Sequence, residues 1–170
     1  MMQKAYFKEH EEIYPIAHTF FEIESKRIKE NFPSAIVEHV GASSVPGLLT
    51  LGDLDIQIRI TENEFKKVIA FLNTLYHSHY PELWTDQFAI FHQKDHPIIE
   101  LSIMVTVIGS PDDEFSTWRD ELRNNATLRE KYNNLKKKYN GKALTDYKKA
   151  KLEFFGGSNG AKRHLRENMI

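Results

Sequence analysis

The stretch Val40-Gly-Ala-Ser-Ser44, followed after a short gap by Asp53-Leu-Asp-Ile-Gln-Ile-Arg-Ile60, decides the fold. From Asp53 onward the side chains alternate. Leu54, Ile56, Ile58 and Ile60 point one way, and Asp53, Asp55, Gln57 and Arg59 the other, which is the period of a half-buried strand. Residues two apart in a strand share a face, so Asp53 and Asp55 project together with Cβ atoms roughly 6–7 Å apart. Two carboxylates that close repel unless a cation lies between them. A hard divalent ion that takes oxygen ligands, Mg²⁺ or Mn²⁺, resolves the repulsion and can carry substrate phosphates as well. The small residues of Gly41–Ser44 let backbone amides approach a phosphate, and the hydroxyls of Ser43 and Ser44 can bond its oxygens. An acid pair on a strand is also what an ordinary solvated face looks like; the preceding loop adds weight to the metal reading.

Upstream, apolar residues at Ile13, Ile16, Phe20, Ile23 and Ile28 fall at a helical period. They predict a helix from about His10 to Phe32 whose regular part begins at Pro15, since proline is best tolerated near a helix start. Residues 35–40 read as a short strand. Downstream, residues 62–76 read as an amphipathic helix, and residues 88–92 and 98–108 as two strands of a hairpin. On the second of these, Glu100 interrupts an apolar run. If that strand lies beside residues 53–60, Glu100 becomes the third carboxylate that a two-metal arrangement requires. Ser110-Pro111 breaks the chain. Two or three helices follow, striped by Phe115, Trp118 and Leu122, then Leu128, Tyr132, Leu135 and Tyr139, then Tyr147, Lys151 and Phe154. The expected fold class is α+β, with a mixed or antiparallel sheet flanked by helices and a C-terminal helical part. Residues 1–155 form one domain and residues 156–170 a flexible tail.

Composition narrows the function classes. The 170 residues contain no cysteine, which excludes disulfides and thiolate chemistry. No apolar run approaches the ~20 residues of a membrane span, and the first residues hold no signal-like apolar core, so the expected compartment is the cytoplasm. Residues 1–115 carry 9 Lys/Arg against 18 Asp/Glu, and residues 116–170 carry 14 against 6. Carboxylates holding a metal and cations receiving phosphate fit that division; helix faces of opposite sign fit it too.

The motif of a hydrophobic residue, Gly, a Gly/Ser pair and then D-x-D resembles the nucleotidyltransferase signature. More narrowly, Glu38-His-Val-Gly-Ala-Ser-Ser-Val-Pro-Gly-Leu48 resembles the GrpB family motif, in which His precedes Val/Ile-Gly-Ser-Thr-Ser-Val-Pro-Gly-Leu. Phe115-Ser-Thr-Trp-Arg-Asp-Glu-Leu-Arg123 resembles that family's Phe-Arg-Asp-x-Leu-Arg. Tyr132-x-x-Leu-Lys136 and Tyr147-x-x-x-Lys151-x-x-Phe154 resemble two further blocks, all in the family's order. The resemblance implies a nucleotidyltransferase-like fold and an ability to bind nucleotide and metal. It also makes Lys151 the phosphate lysine. One departure stands out: Leu51 occupies a position where many members carry lysine.

The expected activity is metal-dependent transfer of a nucleotidyl group from a nucleoside triphosphate to an unknown acceptor. The alternative is a non-catalytic nucleotide-binding or interaction module that keeps the fold. Arg119 and Arg123, four apart on one helix face, are either a triphosphate clamp or partners of nearby acids. His39 either bonds a phosphate or orients the loop. Lys136–Lys138 read as a solvated face, and Asn125-Ala-Thr127 matches a glycosylation sequon without meaning outside secretion. The acidic first half argues against a nucleic-acid backbone as partner.

Overall fold

The computed structural model describes residues 3–94 and 96–156. The expected tail, 156–170, therefore lies outside the described residues except for Gly156. The elements run α1 (His10–Asn31), β1 (Ile36–Val40), β2 (Leu54–Ile60), α2 (Glu62–Leu72), β3 (His77–Ser78), β4 (Phe88–Gln93), β5 (Leu101–Val107), α3 (Phe115–Asn124), α4 (Ala126–Tyr139) and α5 (Leu144–Gly156). The strands form one sheet in the order β1-β2-β5-β4-β3. β2 and β5 pair in parallel, and the other neighbours are antiparallel. The sheet is mixed and the class α+β, as expected, and the 88–92/98–108 hairpin is present as β4–β5.

The alternation in β2 has the consequence expected of it. Leu54, Ile56, Ile58 and Ile60 are fully buried beneath α1 and α2, with Ile103 and Val105 of β5 beside them. Each such side chain contributes about 1.5–3 kcal/mol. The opposite face is not a solvated one. Gln57 is fully buried, and its amide donates to Thr106 Oγ1 and Asp113 Oδ1, both at 3.0 Å, while its carbonyl accepts from the Ser116 amide at 2.9 Å. Arg59 closes the set with a two-pronged bond to Asp113 at 2.6 and 2.8 Å. This polar network anchors the start of α3 on the strand that carries Asp53 and Asp55. A second apolar cluster, with Val45, Leu48, Leu122, Tyr132 and Phe155 at its centre, packs α3, α4 and α5 over the loop that follows β1.

Two local expectations change. α1 is continuous from His10, so its regular part begins five residues before Pro15 rather than at it. The amide that proline lacks would have bonded the carbonyl of Glu11, which sits on the exposed side of the first turns where water can take its place. Asn125 of the sequon-like triplet is the N-cap of α4: its Oδ1 accepts from the Leu128 amide at 3.0 Å. Among the described residues no helix is long and apolar enough to cross a membrane.

Candidate active site

Between the polar face of the sheet and the C-terminal helices lies a cavity of about 660 Å³, with Asp53 and Asp55 on its floor. Gly41 is what brings the loop against them. Its φ is +71°, and a Cβ there would stand 2.0 Å from Asp55 Oδ2, so backbone and carboxylate touch where any side chain would collide. Residues 42–44 then make a single 3₁₀ turn, which leaves its leading amides without an intrahelical partner. Gly41 and Ala42 line the cavity.

Among the described residues neither the Asp53 nor the Asp55 carboxylate has a hydrogen-bond or ion-pair partner. Burial, and then the charge of Asp53, push the Asp55 carboxyl well above the usual carboxylate range, against the pull of Lys151 and Lys136. Those lysines also feel the site: burial lowers both, while the two aspartates draw them back toward the charged form. Two unpartnered hard oxygen donors on neighbouring strand positions fit a divalent ion of the Mg²⁺ type, which is content with one or two carboxylates when phosphates complete its shell.

Glu100 is only partly drawn in. The parallel register that pairs Leu54 with Leu101 sets it beside Asp53, and its carbonyl accepts from the Leu54 amide at 2.9 Å. Its carboxylate is 48% exposed and leans toward His92, 4.0 Å from Nε2. Among the described residues no three His, Cys, Asp or Glu side chains come together as a group able to hold a metal. Asp53, Asp55 and Glu100 therefore share a cavity without forming a closed set of ligands.

The other expected site residues divide. Gly41, Arg119 and Lys151 line the cavity; His39, Ser43, Ser44 and Arg123 do not. Val40 pairs with Asp55 and His39 with Ile56, so His39 sits on the α1 side of the sheet, stacked with Phe21 at 5.5 Å. Its Nε2 lies 3.0 Å from Ser43 Oγ, and the Ser44 hydroxyl donates to the Gly41 carbonyl at 2.7 Å. Both hydroxyls thus brace the loop from behind. Burial, with Arg123 next, lowers the His39 pKa to about 4, so the ring is neutral near pH 7. The arginines brace the same loop. Arg119 donates to Glu38 at 3.0 Å, to Asp120 at 2.8 and 3.1 Å and to the His39 carbonyl at 3.1 Å. Arg123 gives two bonds to the Ser44 carbonyl, at 3.1 and 2.7 Å.

Sequence reasoning missed three contributors. Lys136 is not part of a solvated face: it is 1% exposed, its Nζ donates to the Leu49 carbonyl, and it lies 4.1 Å from the Tyr132 ring centre. The hints were its position one turn after Tyr132 in that helix stripe and its place in the family-like block Tyr132-x-x-Leu-Lys136. Lys148 lines the cavity two turns before Phe155. Lys8 arrives from a segment with no periodicity at all.

A family model described as GrpB protein matches residues 9–158. A UPF0157 protein of Vibrio cholerae is 30% identical over 123 residues, 72% of this chain; the match spans 64% of that relative, less than two thirds of its length. Among solved structures, conserved protein GrpB from Enterococcus faecalis superposes with a TM-score of 0.58 at 19% identity, covering 86% of this chain and 84% of that one. The Cid1 poly(U) polymerase bound to MgGTP superposes with a TM-score of 0.50 at 10% identity, over 72% of this chain and 41% of its own. At these identities the structural likeness is one of fold alone, an α+β fold of the nucleotidyltransferase-like kind.

Proposed function

The chain belongs to the GrpB family, and from that premise we propose that it is a metal-dependent nucleotidyltransferase of the cytoplasm, where nucleoside triphosphates and Mg²⁺ are plentiful. The observation that carries the reading is the unpartnered Asp53–Asp55 pair on the floor of a cavity whose walls hold Lys136, Lys148 and Lys151. The fold shared with a polymerase bound to MgGTP supports it.

Asp53 and Asp55 would hold Mg²⁺ or Mn²⁺. When bound, that ion supplies Lewis-acid polarisation of the phosphoryl oxygens. The triphosphate lies over the backbone of Gly41 and Ala42, which line the cavity beside the acid pair. In the reaction an acceptor hydroxyl attacks the α-phosphorus, its oxygen forms the new ester bond, and the bond to the β-phosphate oxygen breaks, releasing diphosphate. Lys151 stands ready to offset the charge of the departing group. Glu100, beside Asp53, or water takes the hydroxyl proton. Arg119 and Arg123 act one step back, fixing the loop through the His39 and Ser44 carbonyls.

One observation favours a second reading. Glu100 leans toward His92 and, among the described residues, completes no ligand set, as would suit a module that binds nucleotide without turning it over.

Calorimetry with each of the four nucleoside triphosphates and Mg²⁺, on the unaltered protein and on D53N/D55N, tests the proposal. Mg²⁺-dependent binding that disappears in the double variant is expected. Equal binding by both removes the carboxylates from the site, and binding by neither overturns the nucleotide reading.

A further inference from the structure

The first described residues form an extended strap that ties two parts of the molecule together across the cavity. At one end Lys8 and Thr50 exchange backbone bonds at 2.8 and 3.0 Å. At the other, Ala5 bonds Lys142 and Gly141, at 2.8 and 2.7 Å, in the turn between α4 and α5. Ala5 is fully buried, and Phe7 turns inward to meet the Tyr147 ring edge-on at 4.9 Å. The alternation of an extended chain leaves Lys4, Tyr6 and Lys8 exposed opposite Ala5 and Phe7, and these three line the cavity together with Gln3 and Phe7.

Lys8 has a particular position. Gly52 has φ +96°, and a Cβ built on it would stand 3.2 Å from Lys8 Nζ. The ammonium therefore lies over the bare backbone of Gly52, one residue before Asp53. Thr50, Leu51 and Gly52 carry no charge themselves. Of the neighbouring cations, Lys136 is committed to the Leu49 carbonyl, Arg119 to Glu38 and Asp120, and Arg123 to Ser44, while Lys148 and Lys151 face the cavity from the opposite, helical side. The Lys8 ammonium has no hydrogen-bond or ion-pair partner among the described residues. A cation held by its backbone beside an acid pair, with its head group unspent, is placed to receive an anion that the acids alone would repel.

We infer that the strap of residues 3–8 is a phosphate-binding edge of the cavity and that Lys8 is the side chain on it that contacts the polyphosphate of the substrate. This rests on the nucleotide reading above. It assigns to the substrate class a polyphosphate tail.

The test compares the unaltered protein with K8M, K8R and K66M, the last changing an exposed lysine of α2 outside the cavity. MgATP and inorganic tripolyphosphate with Mg²⁺ are titrated into each, and thermal midpoints are recorded. K8M is expected to bind both about tenfold more weakly, the loss of one charge-assisted contact. K8R should recover most of the affinity, K66M should match the unaltered protein, and all four should melt together because the strap is held by backbone bonds. Unchanged binding by K8M, while the unaltered protein binds MgATP, overturns the inference and leaves the nucleotide reading standing. If the unaltered protein binds neither probe, the nucleotide reading falls and the inference falls with it. A K8M protein that melts early and is not rescued by K8R assigns Lys8 to structure and overturns the inference as well.

Discussion

At the scale of single residues, the acid pair is arranged for a ligand rather than for stability. Asp55 is disfavoured as an anion by burial and by Asp53. A carboxyl whose folded pKa is raised above its unfolded value contributes most at low pH, and its contribution is lost as pH rises from the ordinary carboxylate range through the raised value. D55N removes that loss. In metal-free buffer at pH 8 it should therefore stabilise the protein by about 1–2 kcal/mol in urea titration, with the gain vanishing near pH 4, while Mg²⁺ no longer raises its thermal midpoint. Equal stability of the two proteins at pH 8 would mean that the repulsion is already relieved. Gly41 was legible in the sequence as a small residue in a small loop. Its reason, contact with the Asp55 carboxylate, was not, because strand pairing and not spacing creates that contact. Lys136 was misread for a similar cause: three consecutive lysines look solvated, and only the packing of α4 on the loop after β1 decides which one points inward.

At the scale of elements, α3 works as a clamp on the loop between β1 and β2. Arg123 delivers its planar fork to one carbonyl, that of Ser44, and Asn133 of α4 holds the next segment through the Gly47 carbonyl and the Leu49 amide, at 2.8 and 2.9 Å. A lysine cannot reproduce the fork. R123K is expected to cost about 1.5–3 kcal/mol and to speed amide hydrogen exchange at residues 42–45, while β2 and β5 keep their protection. Exchange that rises equally in β2 would show that the clamp supports the sheet and not the loop. β2, the β4–β5 hairpin and α2 could be read from the sequence because each obeys a single period. The strap could not, since six residues with one exposed face carry too few alternations to stand out. The helix was placed from about His10, as found, but the start of its regular part was placed too late because the proline rule weighs a lost hydrogen bond, and at Pro15 the freed carbonyl reaches water.

For the molecule as a whole, the imbalance of charge along the chain becomes an arrangement in space. The sheet and the loop entering β2 bring the acids, the C-terminal helices and the strap bring lysines, and the cavity is their seam. Attraction between mobile polyphosphate and partly exposed lysines is screened by salt over a Debye length of ~10 Å at 0.1 M. Nucleotide affinity should accordingly fall severalfold as KCl rises from about 0.05 to about 0.5 M, read by calorimetry at fixed free Mg²⁺. Affinity indifferent to salt would shift the weight of recognition to the base and sugar.

The order of strands has a consequence for how the protein comes into being. β2 is made early, yet its parallel neighbour β5 is separated from it by α2, β3 and β4. On a ribosome, β2 can pair only with β1 until Val107 has emerged, and through that interval its other edge is open to any passing strand. The lysines of α4 and α5 appear later still. The acid pair thus waits at an unfinished margin, and the helical lysines that face it across the cavity are translated only after every strand of the sheet.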